Sequence, residues 1–176
     1  MAMMLSKPIM AHGQEVTEIT LTSPTGPQIR AARALPYWMD CDNSVAINTE
    51  AASRLLVACA AIPQSSVDQL AAVDRNRLYF EILGFFMNKE TDDEVQLPFD
   101  LKEPAGKFTR EIKALPYWLS VDGLVTINTD VASKYLLHCS GRKQEELDEL
   151  SARELNTLYW AVAGFFLGGT SGRQAN

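Results

Sequence analysis

The chain has 176 residues, of which 47% are hydrophobic and 22% charged, an ordinary composition for a soluble globular protein. Both halves are acidic and together give a net charge of −6: residues 1–88 carry 6 basic and 8 acidic side chains, and residues 89–176 carry 10 and 14. This balance argues against nucleic-acid binding, because that function needs a basic stripe to displace counterions.

The sequence also argues against a secreted or membrane protein. No apolar stretch approaches the roughly 18 residues needed to span a bilayer, and residues 1–7 lack the pattern of a signal peptide. Three cysteines are few and odd in number, and Cys59 and Cys139 occupy equivalent places on predicted helices, so a disulfide framework is not expected. We therefore predict a cytoplasmic protein.

The chain contains an internal repeat. The run Ala-Leu-Pro-Tyr-Trp occurs at 34–38 and again at 114–118, and aligning residues 21–86 with 101–166 without a gap gives 28 identities in 66 positions. A match of that length indicates that one structural unit has been duplicated. We predict a mainly α (α+β) fold of two tandem repeats, each a short β element followed by about four helices.

The predicted boundaries follow from this repeat and from local composition. Residues 1–88 form repeat unit 1 with an N-terminal β-hairpin, residues 89–167 form repeat unit 2, and residues 168–176 form a disordered tail. The polar stretch 88–94 is the predicted linker between the units.

The first element is a predicted β-hairpin over residues 7–22. His12, Gly13 and Gln14 supply its turn, and residues 16–21 alternate apolar with polar side chains. The equivalent segment of unit 2, residues 94–101, contains Pro98, which cannot donate to a strand ladder, so we expect an edge strand there.

Helices follow the hairpin. A short one runs from Gly26 to about Leu35 and ends at Pro36, and a loop then carries Tyr37 and Trp38. Asn48 or Thr49 is expected to cap the next helix. Its apolar positions follow helical spacing and are Ala52, Leu55, Leu56 and Cys59.

Each unit ends with two more predicted helices. A short one begins near Ser65 in unit 1 and near Gln144 in unit 2, and the last helix is the longest. Asp74 is expected to cap that last helix in unit 1, and Ser151 with Glu154 forms a capping box in unit 2.

Residues typical of catalysis are scarce. The two histidines, His12 and His138, do not occupy corresponding positions, and no H-E-x-x-H, G-x-S-x-G, P-loop or C-x-x-C pattern is present. Cys59 and Cys139 could be nucleophiles, but their place on an apolar helix stripe favours a core role. The sequence therefore predicts a protein that is not an enzyme and takes no cofactor.

A metal site is not expected either. Asp40, Asp42 and Asn43 lie close together, yet Asp40 corresponds to Ser120 and Asn43 to Gly123. Calcium loops need more oxygen ligands at fixed spacing, so this cluster is typical of a turn.

The large apolar side chains of the last helices and of the Tyr-Trp loops are the candidate partner-binding residues. The last helices carry a second apolar face beyond the one that a small core needs, so either the two units cover each other or a partner docks there. The loop aromatics have the same two interpretations, core or binding anchor. The candidates are Tyr37, Trp38, Phe80, Leu83, Tyr117, Trp118, Trp160 and Leu167.

Three segments of unit 1 resemble a known family. The segments are Pro8-Ile9-Met10 followed by residues 16–21, the run 62–70, and Ile82-Leu83-Gly84-Phe85-Phe86. This pattern is similar to the tail assembly chaperones of Mu-like and related contractile-tailed bacteriophages. The resemblance covers most of residues 7–87 and, through the repeat, residues 101–166 more weakly.

The resemblance implies a small helical protein of the host cytoplasm that binds the phage tape measure protein, helps recruit tail tube subunits, and is absent from the finished virion. Self-association is possible, and no nucleic acid or membrane is expected as a partner. Two alternatives stay open: a structural minor tail or baseplate protein of the virion, and a small-molecule-binding enzyme. The doubled unit, and the loss of the hairpin and of the Pro-Gln-Ser-Ser run from unit 2, depart from the family pattern.

Overall fold

The computed structural model describes residues 2–87 and 97–168. It begins with an antiparallel hairpin of strands β1 (Ala2–Ala11) and β2 (Gln14–Thr20). The turn residues His12 and Gly13 both have positive φ, 52° and 77°, as a tight two-residue hairpin requires. The predicted hairpin is confirmed, and its first strand begins at residue 2 rather than at residue 7.

The remaining elements come in two sets that repeat in the same order, 80 residues apart. In unit 1 they are α1 (Gly26–Ala32), β3 (Tyr37–Met39), β4 (Val45–Ile47), α2 (Thr49–Ala60), α3 (Gln64–Gln69) and α4 (Ala72–Phe86). In unit 2 they are α5 (Gly106–Ile112), β5 (Tyr117–Leu119), β6 (Val125–Ile127), α6 (Thr129–Ser140), α7 (Gln144–Asp148) and α8 (Ala152–Leu167).

The predicted fold class, mainly α with two tandem units of four helices each, is confirmed. That the units arose by duplication stays an interpretation of the sequence. The predicted domain boundaries also stay predictions, since the linker at 88–94 and nearly all of the tail lie outside the described residues.

The two Tyr-Trp segments are strands, which the sequence analysis missed. β3 pairs with β4 and β5 with β6, each as an antiparallel hairpin. Each strand has three residues, which is too short for alternation to be recognised against the background. The edge strand expected over 94–101 is wrong for its described part, because residues 97–101 form no strand.

Side chains at the helix ends fix where the helices begin. Asn48 and Asn128 cap α2 and α6 by accepting from the backbone N–H three residues on, at 3.2 and 3.3 Å. The predicted capping box of Ser151 and Glu154 at α8 is confirmed. The first helix ends earlier than predicted, at Ala32, because Arg33 turns into the left-handed region.

The predicted cap at Asp74 is wrong. The helix α4 begins at Ala72, so Asp74 lies within its first turn, where its carboxylate favours the positive end of the helix dipole. That carboxylate is buried and accepts from the backbone N–H of Ser6 at 2.8 Å and from its hydroxyl at 2.6 Å. Since the pairing of β1 with β2 shifts register between Met4 and Ile9, Asp74 fixes the irregular part of the hairpin onto α4.

The two units share one core and one sheet. Strands from both form a four-stranded sheet in the order β4-β3-β6-β5, in which β3 of unit 1 pairs with β6 of unit 2. Buried side chains from both units, including Leu55, Leu78, Leu136 and Leu158, belong to a single apolar cluster. The predicted apolar stripe Ala52, Leu55, Leu56 and Cys59 is buried in that cluster.

Candidate protein-binding surfaces

Tyr37 belongs to the core. Its ring is 0% exposed, and its hydroxyl donates to Asn156 Oδ1 and accepts from Trp160 Nε1, both at 2.7 Å. Burial raises the pKa of this phenol, so the group is neutral and available as a donor. Of the two sequence interpretations, the structure places Tyr37 in the core, and it is not part of an exposed surface.

The side chains of Trp160 and Leu83 also pack against the core and do not project into solvent. Trp160 stacks on Tyr37 with ring centroids 6.3 Å apart and is only partly exposed. Leu83 is buried at 8% exposure. Leu167, at the end of α8, is partly buried against the core. The second apolar faces of α4 and α8 are therefore covered to a large extent by the molecule itself, which is the first of the two alternatives drawn from the sequence.

Phe80 is the exception on these helices. It occupies the position in α4 that Trp160 occupies in α8, yet it is 50% exposed. Asn76, the counterpart of Asn156, is exposed as well. The aromatic and amide pair that holds Tyr37 in unit 2 thus recurs in unit 1 on the surface, facing solvent.

The outer face of the four-stranded sheet carries two tryptophans. Successive side chains of a strand point to opposite faces, so Trp38 and Trp118 point away from the core face that Tyr37 and Tyr117 share. The pairing register places Thr126 between the two tryptophans on this outer face. Trp118 is 52% exposed and Trp38 is partly exposed. Two large rings two strands apart, about 10 Å, form an aromatic surface that we call the tryptophan face.

The free edge of the sheet in unit 2 carries a group of exposed apolar side chains. Three exposed apolar side chains there were not among the sequence candidates, and they are Leu115, Leu119 and Val121. Tyr117 is partly buried against the core. A comparison of the two units could have indicated this edge, because the last unit of a repeat lacks the neighbour that covers the one before it.

The surroundings of the three cysteine thiols favour their protonated form. Burial raises the pKa of Cys59 to about 12 and that of Cys139 to about 11, so both thiols stay protonated near neutral pH. Cys41 is exposed, and the neighbouring carboxylate of Asp40 raises its pKa. Among residues 2–87 and 97–168, no group of three or more histidine, cysteine, aspartate or glutamate side chains could hold a metal ion.

One ion pair joins the two units at the surface. Arg30 of α1 binds Asp148 at the end of α7 through both guanidinium nitrogens, the second at 3.3 Å. This hydrogen bond from Arg30 holds the pKa of Asp148 below its usual value, and Gln144 Nε2 donates to the same carboxylate at 2.8 Å. The helices are amphipathic rather than wholly apolar, and in the part of the chain that the structure describes none is long and apolar enough to cross a bilayer.

The comparison with protein families gave a match that covers unit 1. Residues 2–86, from β1 to the end of α4, match the family described as phage tail assembly chaperone proteins E, or 41 or 14. Searches of curated proteins and of solved structures gave no match. Residues 2–86 are therefore similar to the phage tail assembly chaperone family, as the resemblance in the sequence predicted. Unit 2 lies outside the matched range.

Proposed function

We propose that this protein is a phage tail assembly chaperone that acts in the host cytoplasm by binding other tail proteins, without catalysing a reaction. Its partners are the tape measure protein, which it keeps soluble, and the tail tube subunits, which it helps bring onto the tape measure protein. The observation that carries the proposal is the family match over the whole of unit 1.

The surfaces of the described residues support this mechanism. Binding energy in protein interfaces is concentrated in aromatic residues, tryptophan above all, and the tryptophan face presents two of them side by side. The net charge of −6 keeps a complex with an apolar partner soluble. Trp38 and Trp118 are thus the candidate residues that we expect to contact the tape measure protein.

The experiment is co-expression of the tagged protein with the tape measure protein of the same phage. We expect the wild type to co-purify with the tape measure protein in soluble form. The double variant Trp38→Ser/Trp118→Ser should lose the partner while keeping its circular dichroism spectrum and a cooperative melting transition. Met4→Ser, which removes an exposed apolar side chain from the hairpin, is the matched control and should retain the partner.

Purified phage particles separate the proposal from the virion-protein alternative. A chaperone leaves the complex, so the protein should be present in infected cells and absent from finished particles. A fixed number of copies per particle would favour a structural minor tail or baseplate protein. Co-purification that is unchanged in the double tryptophan variant would contradict the assignment of the tryptophan face.

A further inference from the structure

Unit 1 and unit 2 contact each other through two different surfaces. Because the units are repeats, each also carries the surface that the other one uses, and these two further surfaces, the free halves of the interface, lie at opposite ends of the molecule. The packing uses one side of each unit. Unit 1 contributes α1, β3 and one side of α4, and unit 2 contributes α6, α7, α8 and β6. By the repeat, unit 2 has its own α1-like side, made of α5, β5 and the corresponding side of α8. Unit 1 has its own receiving side, made of α2, α3, β4 and the side of α4 that faces away from unit 2.

The first free half is the α5 end, formed by α5, residue 115 and β5. Leu35, which follows α1, is 0% exposed because unit 2 covers it, whereas its counterpart Leu115 is 43% exposed. The helix α1 buries three of its residues, whereas α5 buries none. Leu119, the counterpart of Met39, is 63% exposed at the free edge of β5.

The second free half is the α2 face, formed by β4 and by the sides of α2, α3 and α4 that face away from unit 2. Between these helices lies an open cavity of about 490 Å³, with Thr49, Gln64 and Tyr79 among its lining residues. In unit 2 the corresponding helices receive α1. Val45 and Phe80 are exposed on the same face, at 42% and 50%.

Most polar contacts of the internal interface can be rebuilt between the two free halves, because most of the residues that make them are identical in both units. Arg30 pairs with Asp148, and the free ends carry Arg110 and Asp68. Gln64 Nε2 already donates to Asp68 at 2.9 Å, as Gln144 does to Asp148. The carboxylate of Asp68 is therefore oriented by a glutamine side chain in the same way as the carboxylate of Asp148.

The backbone contacts and the tyrosine contacts of the internal interface also have counterparts at the two free halves. Leu35 N donates to Ile127 O at 3.3 Å, and Thr129 Oγ1 donates to Ile29 O at 2.8 Å. By the repeat, the corresponding groups are Leu115 N with Ile47 O, and Thr49 Oγ1 with Thr109 O, which also accepts from Lys113 N at 3.2 Å. The hydrogen bond of Tyr37 with Asn156 would be repeated by Tyr117 with Asn76, and the ring contact with Trp160 would be repeated by Phe80 without the hydrogen bond.

Gly106 is the residue of the α5 end whose identity points most specifically to a second interface. A Cβ on its counterpart Gly26 would lie 3.0 Å from the backbone Cα of Asp148, so the internal interface is tightly packed against this glycine. A Cβ on Gly106 would meet nothing within 4 Å. The single molecule therefore gives no steric reason for glycine at 106, whereas a second copy of the α2 face lying against α5 would give one.

We propose that copies of this chain join head to tail, with the α5 end of one copy docking on the α2 face of the next in the same arrangement that joins unit 1 to unit 2. Strand β5 then pairs with β4 of the neighbour, and the four-stranded sheet continues from copy to copy. Such a heterologous contact leaves a free half at each end, so it builds a ring if it closes and an open helical assembly if it does not. The tryptophan face lies on the other side of the sheet and stays available along the assembly.

The joint between copies is weaker than the joint within a copy. Thr126 Oγ1 donates to Tyr37 O at 2.7 Å inside the molecule, but Ala46 at the corresponding place has no hydroxyl. Phe80 cannot donate as Trp160 does. The chain connection that holds unit 2 near unit 1 is also missing between copies. We therefore expect an assembly that depends on protein concentration.

Sedimentation velocity of the purified full chain tests the proposal. The mass of the wild type should rise above the 19.5 kDa of one chain as its concentration is raised from about 1 to about 200 µM. Gly106→Val should weaken association at least about tenfold without changing the melting temperature of the dilute protein. Lys107→Val is the matched control, since its counterpart Pro27 stays exposed in the internal interface, and it should associate like the wild type.

Charge exchange tests the register of the joint. Arg110→Asp and Asp68→Arg should each prevent association, because each places like charges together, and the two changes in one chain should restore it. A 1:1 mixture of Gly106→Val with Asp68→Arg should stop at a pair of chains, since each variant keeps the half that the other lacks.

The proposal is overturned if the wild type stays at 19.5 kDa throughout this concentration range. It is also overturned if the wild type associates but Gly106→Val and Asp68→Arg associate equally well, because the contact would then lie elsewhere. The proposal is independent of the tape measure protein, since the experiment uses this chain alone.

Discussion

At the scale of single residues, the same residue type has different roles in the two units because its surroundings differ. Tyr37 and Tyr117 are related by the repeat, but only Tyr37 is closed in by the other unit. Its hydroxyl links β3 to α8, and Asn156 Nδ2 continues the link to Phe86 O in α4 at 3.3 Å. One buried phenol thus connects elements of both units.

Removing that hydroxyl should destabilise the molecule. Tyr37→Phe leaves Asn156 Oδ1 and Trp160 Nε1 without their shared partner in a largely buried place, and we expect a loss of about 1–3 kcal/mol in the free energy of unfolding. Urea denaturation of the dilute protein measures it. Tyr117→Phe is the matched control and should change stability by less than about 0.5 kcal/mol. Equal effects of the two changes would contradict the burial difference.

The ion pair between the units makes stability depend on pH on the acid side. The pKa of Asp148 is lowered in the folded state by Arg30, so its contribution is present above the unfolded value of about 3.9 and is lost as the pH falls through the folded value. We expect Asp148→Asn to lower stability at pH 7 and to give a shallower fall between about pH 5 and pH 3.

Melting temperatures across that pH range measure this effect. Asp68→Asn, at the equivalent exposed place, is the control and should leave the stability of the dilute protein within about 0.5 kcal/mol of the wild type. If Asp148→Asn keeps the full acid dependence of the wild type, the ion pair contributes nothing to it.

At the scale of elements, the helices and strands that could be predicted from the sequence were those with a long or distinctive residue pattern. The long helices and their apolar stripes were predicted because patterns over ten or more residues exceed the background. The capping box at Ser151 was predicted because serine followed three residues later by glutamate is a specific local signal. The four three-residue strands were not predicted, because three residues are too short for an alternating pattern to be recognised, and the pairing of β3 with β6 depends on contact between the units. Asp74 was assigned the wrong role, since its partner Ser6 lies 68 residues away along the chain.

The candidate binding residues show the same limit. The sequence identified the apolar rings but could not divide them between core and surface, because that division depends on which unit covers which. The structure places Tyr37 and Leu83 inside and leaves Phe80 and Trp118 half-exposed. The exposed edge at Leu119 was missed because a leucine after Tyr-Trp carries no distinctive pattern.

Equivalent positions of α4 and α8 should respond differently to the same change. Trp160→Ser removes a partly buried ring that stacks on Tyr37, and we expect it to cost about 2 kcal/mol or more in unfolding free energy. Phe80→Ser should cost less than about 0.5 kcal/mol in dilute protein, since the ring is half-exposed. Chemical denaturation of both variants checks this, and a reversed order would mean that α4 and α8 have exchanged roles.

At the scale of the whole molecule, the two units are not independent domains joined by a linker. They share a sheet and a core, and the surfaces that remain free are the tryptophan face and the two free halves of the unit interface. The tryptophan face of each copy would cover an apolar partner, while the two free halves would join the copies to one another. A small protein could in this way cover a much longer one. Residues 2–86 match a family named for tail assembly, and tail proteins are the partners that this match suggests.

Genetic complementation of the phage tests the central claim that this protein is needed to build the tail but is not part of it. The gene is deleted, and the protein is supplied from a plasmid as the wild type or as Trp38→Ser/Trp118→Ser. Tails are counted by electron microscopy, and the protein is measured in purified particles. We expect the wild type to restore tails whose particles lack the protein, and the tryptophan variant to give no tails. Normal tails without the protein, or its retention in every particle, would contradict the account.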